Sequence, residues 1–250
     1  MPQSAPEKHS TPVTRLPTPF KRTGAIWRIP VPKRALSISR VCSILTRTYG
    51  TPRFGNPSDP LDDLIYITLS NKTNPTTARR TYERIRKRFR KWSEILTVPI
   101  TVLCSLLRPA GLSLVKSRHI RAALRAIERR FGRCDLTPLK QWRPAEAECF
   151  LVGLPGVSKK VAKCVMMYTL AMRVLPVDSH VHRVAVRLGW TNRKRADQCH
   201  EELEALVPPA LRNSFHVCCI AHGRKLCRPS KPLCHLCGIK RYCAFYRSMQ

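Results

Sequence analysis

From Val31 onward the apolar positions of the chain repeat at helical steps. Between Arg79 and Trp92 the residues Tyr82, Ile85, Phe89 and Trp92 fall three or four apart, and eight Lys and Arg fill the remaining faces. Ile120, Leu124, Ile127 and Phe131 mark a second stripe, and Leu203, Leu206 and Val207 a third, closed by Pro208-Pro209. Such spacing lays one apolar side of a helix against a core. No stretch alternates as a half-buried strand would, so the pattern predicts an all-α fold. Breaks fall at the Pro- and Gly-rich stretch Gly50–Pro60 and at Arg173–Pro176. No internal repeat is apparent.

Residues 1–28 read differently. They are rich in Pro, Ser, Thr, Lys and Arg and cannot bury enough surface to order themselves, which predicts a flexible basic tail. Their Arg- and Ser-rich, acid-poor composition also fits an organelle transit peptide, although the many prolines disfavour an amphipathic transit helix.

Charge narrows the partner. Forty-six Lys and Arg against 15 Asp and Glu leave a net +31 over 250 residues. Such an excess implies a polyanion, either nucleic acid or an anionic membrane surface. The longest apolar stretch, Cys164–Met172, has Lys163 before it and Arg173 after it and is far shorter than the ~20 residues of a spanning helix. The start carries no short apolar core of a secretory signal. The expectation is therefore a reducing compartment, with the 12 cysteines as thiols or metal ligands rather than disulfides.

Four of those cysteines are clustered as Cys227-x6-Cys234-x2-Cys237-x5-Cys243. Thiolates at this density suit zinc or a [4Fe–4S] cluster. A single C-x2-C pair, where zinc sites commonly use two, leans toward iron–sulfur. The other eight (Cys42, Cys104, Cys134, Cys149, Cys164, Cys199, Cys218, Cys219) show no ligand spacing and are assigned to packing. Between the first two ligands, prolines stiffen a loop from which Arg228 and Lys231 project, suited equally to solvent or to a phosphate backbone.

The run Leu154-Pro155-Gly156-Val157-Ser158-Lys159-Lys160-Val161-Ala162 reads as a turn between two helices. Gly156 permits a tight turn and Ser158 caps the next helix, whose free amides form an anion site. Lys160 falls in that helix's first turn, where the dipole and partial burial disfavour the ammonium form and favour a nucleophilic amine. Lys159 and Lys163 compete for that role. Further on, Asp178 precedes another helical run ending near Gly189; a carboxylate capping it would accept backbone hydrogen bonds and stay ionised. His180 and His182 are read as structural or backbone contacts.

Taken together, Leu154–Ala162, Val177-Asp178-Ser179-His180 and the Cys227/Cys234/Cys237/Cys243 spacing resemble the helix-hairpin-helix DNA glycosylases, in the endonuclease III-like branch that carries an iron–sulfur cluster. Gly111–Ser117 is similar to that family's intercalating loop, with Leu112 placed as the wedge. The resemblance implies two helical domains flanking a DNA cleft: a six-helix barrel over 54–173, and a cluster domain joining 29–53 to 174–250. It implies Lys160 as nucleophile and Asp178 as essential carboxylate of a combined glycosylase and AP lyase. It further implies a [4Fe–4S] cluster on the four cysteines, and DNA contacts from Leu154, Gly156, Ser158, Lys159, Arg228 and Lys231. The expected partner is double-stranded DNA with a damaged or modified base, bound by a monomer without a membrane. The expected compartment is the nucleoid-containing cytoplasm of a prokaryote, or a eukaryotic nucleus or organelle.

Two departures stand out. Ser158 replaces a second hairpin glycine, and the segment Leu69–Thr73 offers Asn71 or Lys72 where the family commonly has a gap-filling glutamine. Residues 177–190 are also similar to the plant 5-methylcytosine glycosylases, so modified cytosine stands beside oxidised pyrimidine as a substrate.

Overall fold

A computed structural model of the chain describes residues 33–250. The tail expected over 1–28 lies outside the described residues. Twelve α-helices and several short 3₁₀ turns make up the described residues, and none of these forms a strand. No helix among them is long and apolar enough to cross a membrane.

Two hydrophobic cores organise these helices. The first draws on Leu61 through Val174. It contains α2 (Pro60–Ser70), α3 (Pro75–Arg88), α4 (Glu94–Thr97), α5 (Ile100–Leu107), α6 (Ser113–Phe131), α7 (Pro144–Val152) and α8 (Lys159–Thr169). The second combines Ile38–Leu45 of α1 (Lys33–Tyr49) with residues from Leu175 to Ile239. These lie largely on α9 (Ser179–Leu188), α10 (His200–Leu206) and α11 (Arg212–Lys225). The last helix, α12 (Ala244–Arg247), packs on α9. The chain thus leaves one core and enters the other at Val174-Leu175, within the Arg173–Pro176 break.

The basic stripe from Arg79 differs from the expectation. α3 stops at Arg88, and Phe89 caps it with an extended backbone. Phe89 and Trp92 are nevertheless buried with Tyr82 and Ile85, because the chain bends into a turn that returns Trp92 to the core. There its indole donates to Asp62 Oδ1 at 2.6 Å. The other two stripes lie where expected, on α6 and α10, with Val207 capping the latter.

The cysteines divide unevenly. Cys42, Cys164, Cys199, Cys218 and Cys219 are buried, but Cys149 is exposed, so packing does not account for all eight. It sits on the outward side of α7, whose buried contacts come from Ala147 and Leu151.

Candidate active site

A cleft of about 920 Å³ opens between the two cores. Its walls come from the end of α2 and the turn after it, the start of α8, the start of α9 and one side of α11. Asn71, Lys72, Ser158, Lys159, Lys160 and Asp178 all line it.

Local capping positions the two central groups. Ser158 caps α8 and its hydroxyl accepts from the Val161 N–H at 3.4 Å, which fixes Lys160 in the first turn. Asp178 caps α9: its Oδ1 accepts from the N–H groups of His180 at 2.9 Å and Val181 at 2.8 Å. Both capping bonds use one oxygen, so Oδ2 is left for the cleft.

The competing lysines are committed elsewhere. Lys163 is 5% exposed and ion-paired with Glu204 and, at 3.5 Å, with Glu148. Lys159 is paired with Glu201 and lies 3.7 Å from Glu148. Lys160 has no ion pair among the described residues and faces the cleft that holds Asp178. One sequence position thus separates a structural ammonium from a chemically available one.

Histidine, tyrosine and cysteine side chains also line the cleft. His216 is buried and has Nδ1 2.9 Å from the Pro176 carbonyl; burial lowers its pKa. Its ring meets Tyr168 edge-on with centroids 5.9 Å apart. Burial pushes the Cys164 thiol, one turn along α8 from Lys160, up to about 12. His180 also lines the cleft, with Nδ1 3.1 Å from Arg183, a side-chain contact of the structural kind. His182 does behave as one, its Nε2 lying 2.8 Å from the Arg193 carbonyl.

A second carboxyl was not singled out from the sequence. Asp63 is fully buried on α2; Oδ1 accepts from Asn56 at 2.7 Å and Oδ2 is orphaned. Burial pushes it up to about 7, against the opposing effects of Asn56 and the nearby Lys160 charge. The available signal was a pair of acids, Asp62-Asp63, inside an otherwise apolar run.

The hairpin and the loops frame the cleft. Gly156 has φ +78°, and a Cβ there would lie 2.5 Å from the His119 ring, so glycine is required twice over. Leu154 has a buried side chain, leaving only its main chain to face a ligand. Leu112 is 58% exposed at the tip before α6 and holds φ 49°. Leu114 and Val115 beside it are also exposed.

The four cysteines Cys227, Cys234, Cys237 and Cys243 line one hollow with Val184, Leu188, Ile239 and other apolar groups. Among the described residues, no three His, Cys, Asp or Glu side chains converge tightly enough for a single metal ion. Arg187 donates to Cys227 Sγ at 3.1 Å, and His222 Nε2 lies 3.7 Å from Cys237 Sγ. Such contacts offset thiolate charge. Burial pushes Cys237 up to about 11 and also raises Cys243. Four cysteine sulfurs around one hollow, with Arg187 and His222 beside them, are a donor set that an iron–sulfur cluster would suit. Arg187 also donates to the carbonyls of Arg228 at 2.8 Å and Pro229 at 3.0 Å, and Arg228 and Lys231 project from this pinned loop.

Comparison with known proteins agrees with this geometry. Residues 65–209 match the model of the HhH-GPD superfamily base excision DNA repair proteins. Endonuclease III of Thermotoga maritima is 29% identical over 196 residues, spanning 78% of this chain and 88% of that protein. A putative DNA glycosylase of Arabidopsis thaliana is 30% identical over 173 residues, which covers 68% of this chain but 58% of that longer protein. A solved non-covalent endonuclease III–DNA complex superposes with a TM-score of 0.74 at 22% identity, covering 86% of this chain and 97% of that one. The chain belongs to the HhH-GPD superfamily of base excision DNA repair proteins. Within it, the chain is an endonuclease III-like DNA glycosylase.

Proposed function

We propose that this enzyme is bifunctional, removing a modified pyrimidine from duplex DNA and then cleaving the strand as an AP lyase. The observation that carries the reading is that Lys160 shares a cleft with Asp178 while Lys159 and Lys163 are held in ion pairs. The target nucleoside has to leave the stack to reach them. The division into a barrel over 54–173 and a cluster domain of 29–53 with 174–250 belongs to this reading, as does action by a monomer, since one chain supplies both groups.

In the chemistry, the uncharged Lys160 amine attacks C1′ of the everted nucleotide. The C1′–N bond breaks, its electron pair leaves with the base, and the base takes up a proton. The attached amine loses a proton and the sugar ring opens to a Schiff base. Loss of a C2′ proton then drives β-elimination, which breaks the bond to the 3′ oxygen and releases the 3′ strand. Water hydrolyses the Schiff base and returns Lys160. Asp178 stabilises positive charge on the sugar and assists deprotonation of the amine.

Leu112 supplies the wedge, Asn71 and Lys72 border the vacated place, and Leu154, Gly156 and Ser158 hold phosphate at the hairpin, which Lys159 reaches only by leaving its pair with the exposed Glu201. Cys227, Cys234, Cys237 and Cys243 hold a [4Fe–4S] cluster that stiffens the loop bearing Arg228 and Lys231 for backbone contact.

Borohydride capture on an abasic-site duplex tests the nucleophile. The wild-type chain is expected to cross-link and Lys160→Ala to lose the adduct; an undiminished adduct in that variant rejects the assignment. A base-release screen over modified pyrimidines settles the substrate. Modified cytosine belongs in it, because DEMETER-like protein 2 of Arabidopsis thaliana is 26% identical over 175 residues, although these span 13% of that protein.

A further inference from the structure

Lys116 is 5% exposed, lies in the first turn of α6, and meets no carboxylate among the described residues. Desolvation and the helix dipole both oppose a buried cation there. Its Nζ donates to the Leu69 carbonyl at 2.7 Å, the Thr73 hydroxyl at 2.7 Å and the Ala110 carbonyl at 2.9 Å. An ammonium has three N–H donors, and here each has an acceptor. The Thr73 hydroxyl in turn donates to Ala110 at 2.6 Å.

Those acceptors belong to two separate segments. Leu69 and Thr73 bracket the turn that carries Asn71 and Lys72, and Ala110 precedes the Leu112 tip. Both tips hold a non-glycine residue in the left-handed region, Lys72 at φ 55° and Leu112 at φ 49°. Such conformations persist only where their surroundings impose them. Lys116 itself does not line the cleft.

We infer that Lys116 is a positioning residue whose ammonium locks the Asn71–Lys72 turn and the Leu112 tip into one rigid pair, so that both enter the DNA as a single insertion. The inference rests on the DNA reading above, and a binding measurement keeps it separable from the chemistry. The probe is a duplex with a tetrahydrofuran abasic analogue facing 2-aminopurine, whose fluorescence rises when the partner base is unstacked. The full-length wild-type chain is expected to raise it on binding, and Lys116→Met and Thr73→Val to lose most of that rise.

A second measurement compares two substrates. Base excision from fully paired duplex is expected to fall about tenfold, while borohydride capture at a bulged abasic site stays within about twofold, because a misplaced insertion penalises only the step that needs it. Should Lys116→Met fail to fold by far-UV helicity, Thr73→Val carries the test. Folded variants with unchanged fluorescence and unchanged paired excision overturn the inference. Equal loss on paired and bulged substrates also overturns it, since Lys116 would then act on the chemistry. Absence of base release or capture in the wild-type chain would instead refute the proposed function and leave the fluorescence arm readable.

Discussion

The buried Asp63 carboxyl has a pH signature of its own. The folded chain holds its proton more tightly than the unfolded chain, with a pKa of about 7 when folded. Its contribution to stability is therefore intact below about pH 4 and declines as pH rises from about 4 to about 7. Asp63→Asn is expected to abolish that decline and to gain at most about 4 kcal/mol at neutral pH; thermal melts at pH 5 and pH 8 check it, and an unchanged pH dependence refutes it. Lys163→Met tests the neighbouring ammonium differently. Deleting one partner of a buried ion pair costs about 3 kcal/mol, so the melting temperature should drop while borohydride capture at Lys160 survives. Loss of capture in a folded Lys163→Met protein would move the nucleophile to residue 163. The caps that place Lys160 and Asp178 on one cleft were legible in the sequence, because caps and hairpins leave local spacing. The choice among three lysines was not, since Glu148, Glu201 and Glu204 approach from other helices.

At the scale of the helices, two glycines with nearly equal φ should respond very differently to alanine. Gly132 ends α6 at φ +71° with nothing within 4 Å of an added Cβ. Gly132→Ala therefore costs only the left-handed conformation, about 1–2 kcal/mol. Gly156 adds a collision with His119 at 2.5 Å to a similar φ. Gly156→Ala should cost about 1–3 kcal/mol more and weaken duplex binding, as denaturant melts and a binding titration would show. Equal penalties would mean that the hairpin does not rest on α6. Periodicity found α6 because Ile120, Leu124 and Ile127 bury a single stripe, and it found α10 by Leu203. It overran α3, because Phe89 and Trp92 keep helical spacing while reaching the same core from a turn. α11 is buried over most of its length and so offers no stripe for periodicity to read.

Over the whole molecule, the net charge of +31 makes DNA affinity steeply dependent on salt. Arg228→Gln with Lys231→Gln is expected to lower the slope of log affinity against log salt by about 2, one for each phosphate no longer neutralised. An unchanged slope would leave that loop facing solvent. Cys237→Ser should remove absorbance near 400 nm and make residues 227–250 sensitive to protease, with duplex affinity falling further than capture at Lys160. The sequence announced the four cysteines through their spacing but not Arg183 and Arg187, which come from α9 and tie the cysteine loop down. Arg183 donates to the Cys227 carbonyl at 2.8 Å and to the Gly223 carbonyl at 3.0 Å. α9 thus starts at the acid of the cleft and is moored near its other end to the cysteine loop, about 15 Å away. A chain cut short before Cys227, by a premature stop or by proteolysis, would still possess Lys160 and Asp178. It would lose the loop to which Arg183 and Arg187 tie α9, and with it Ile239 from the second core.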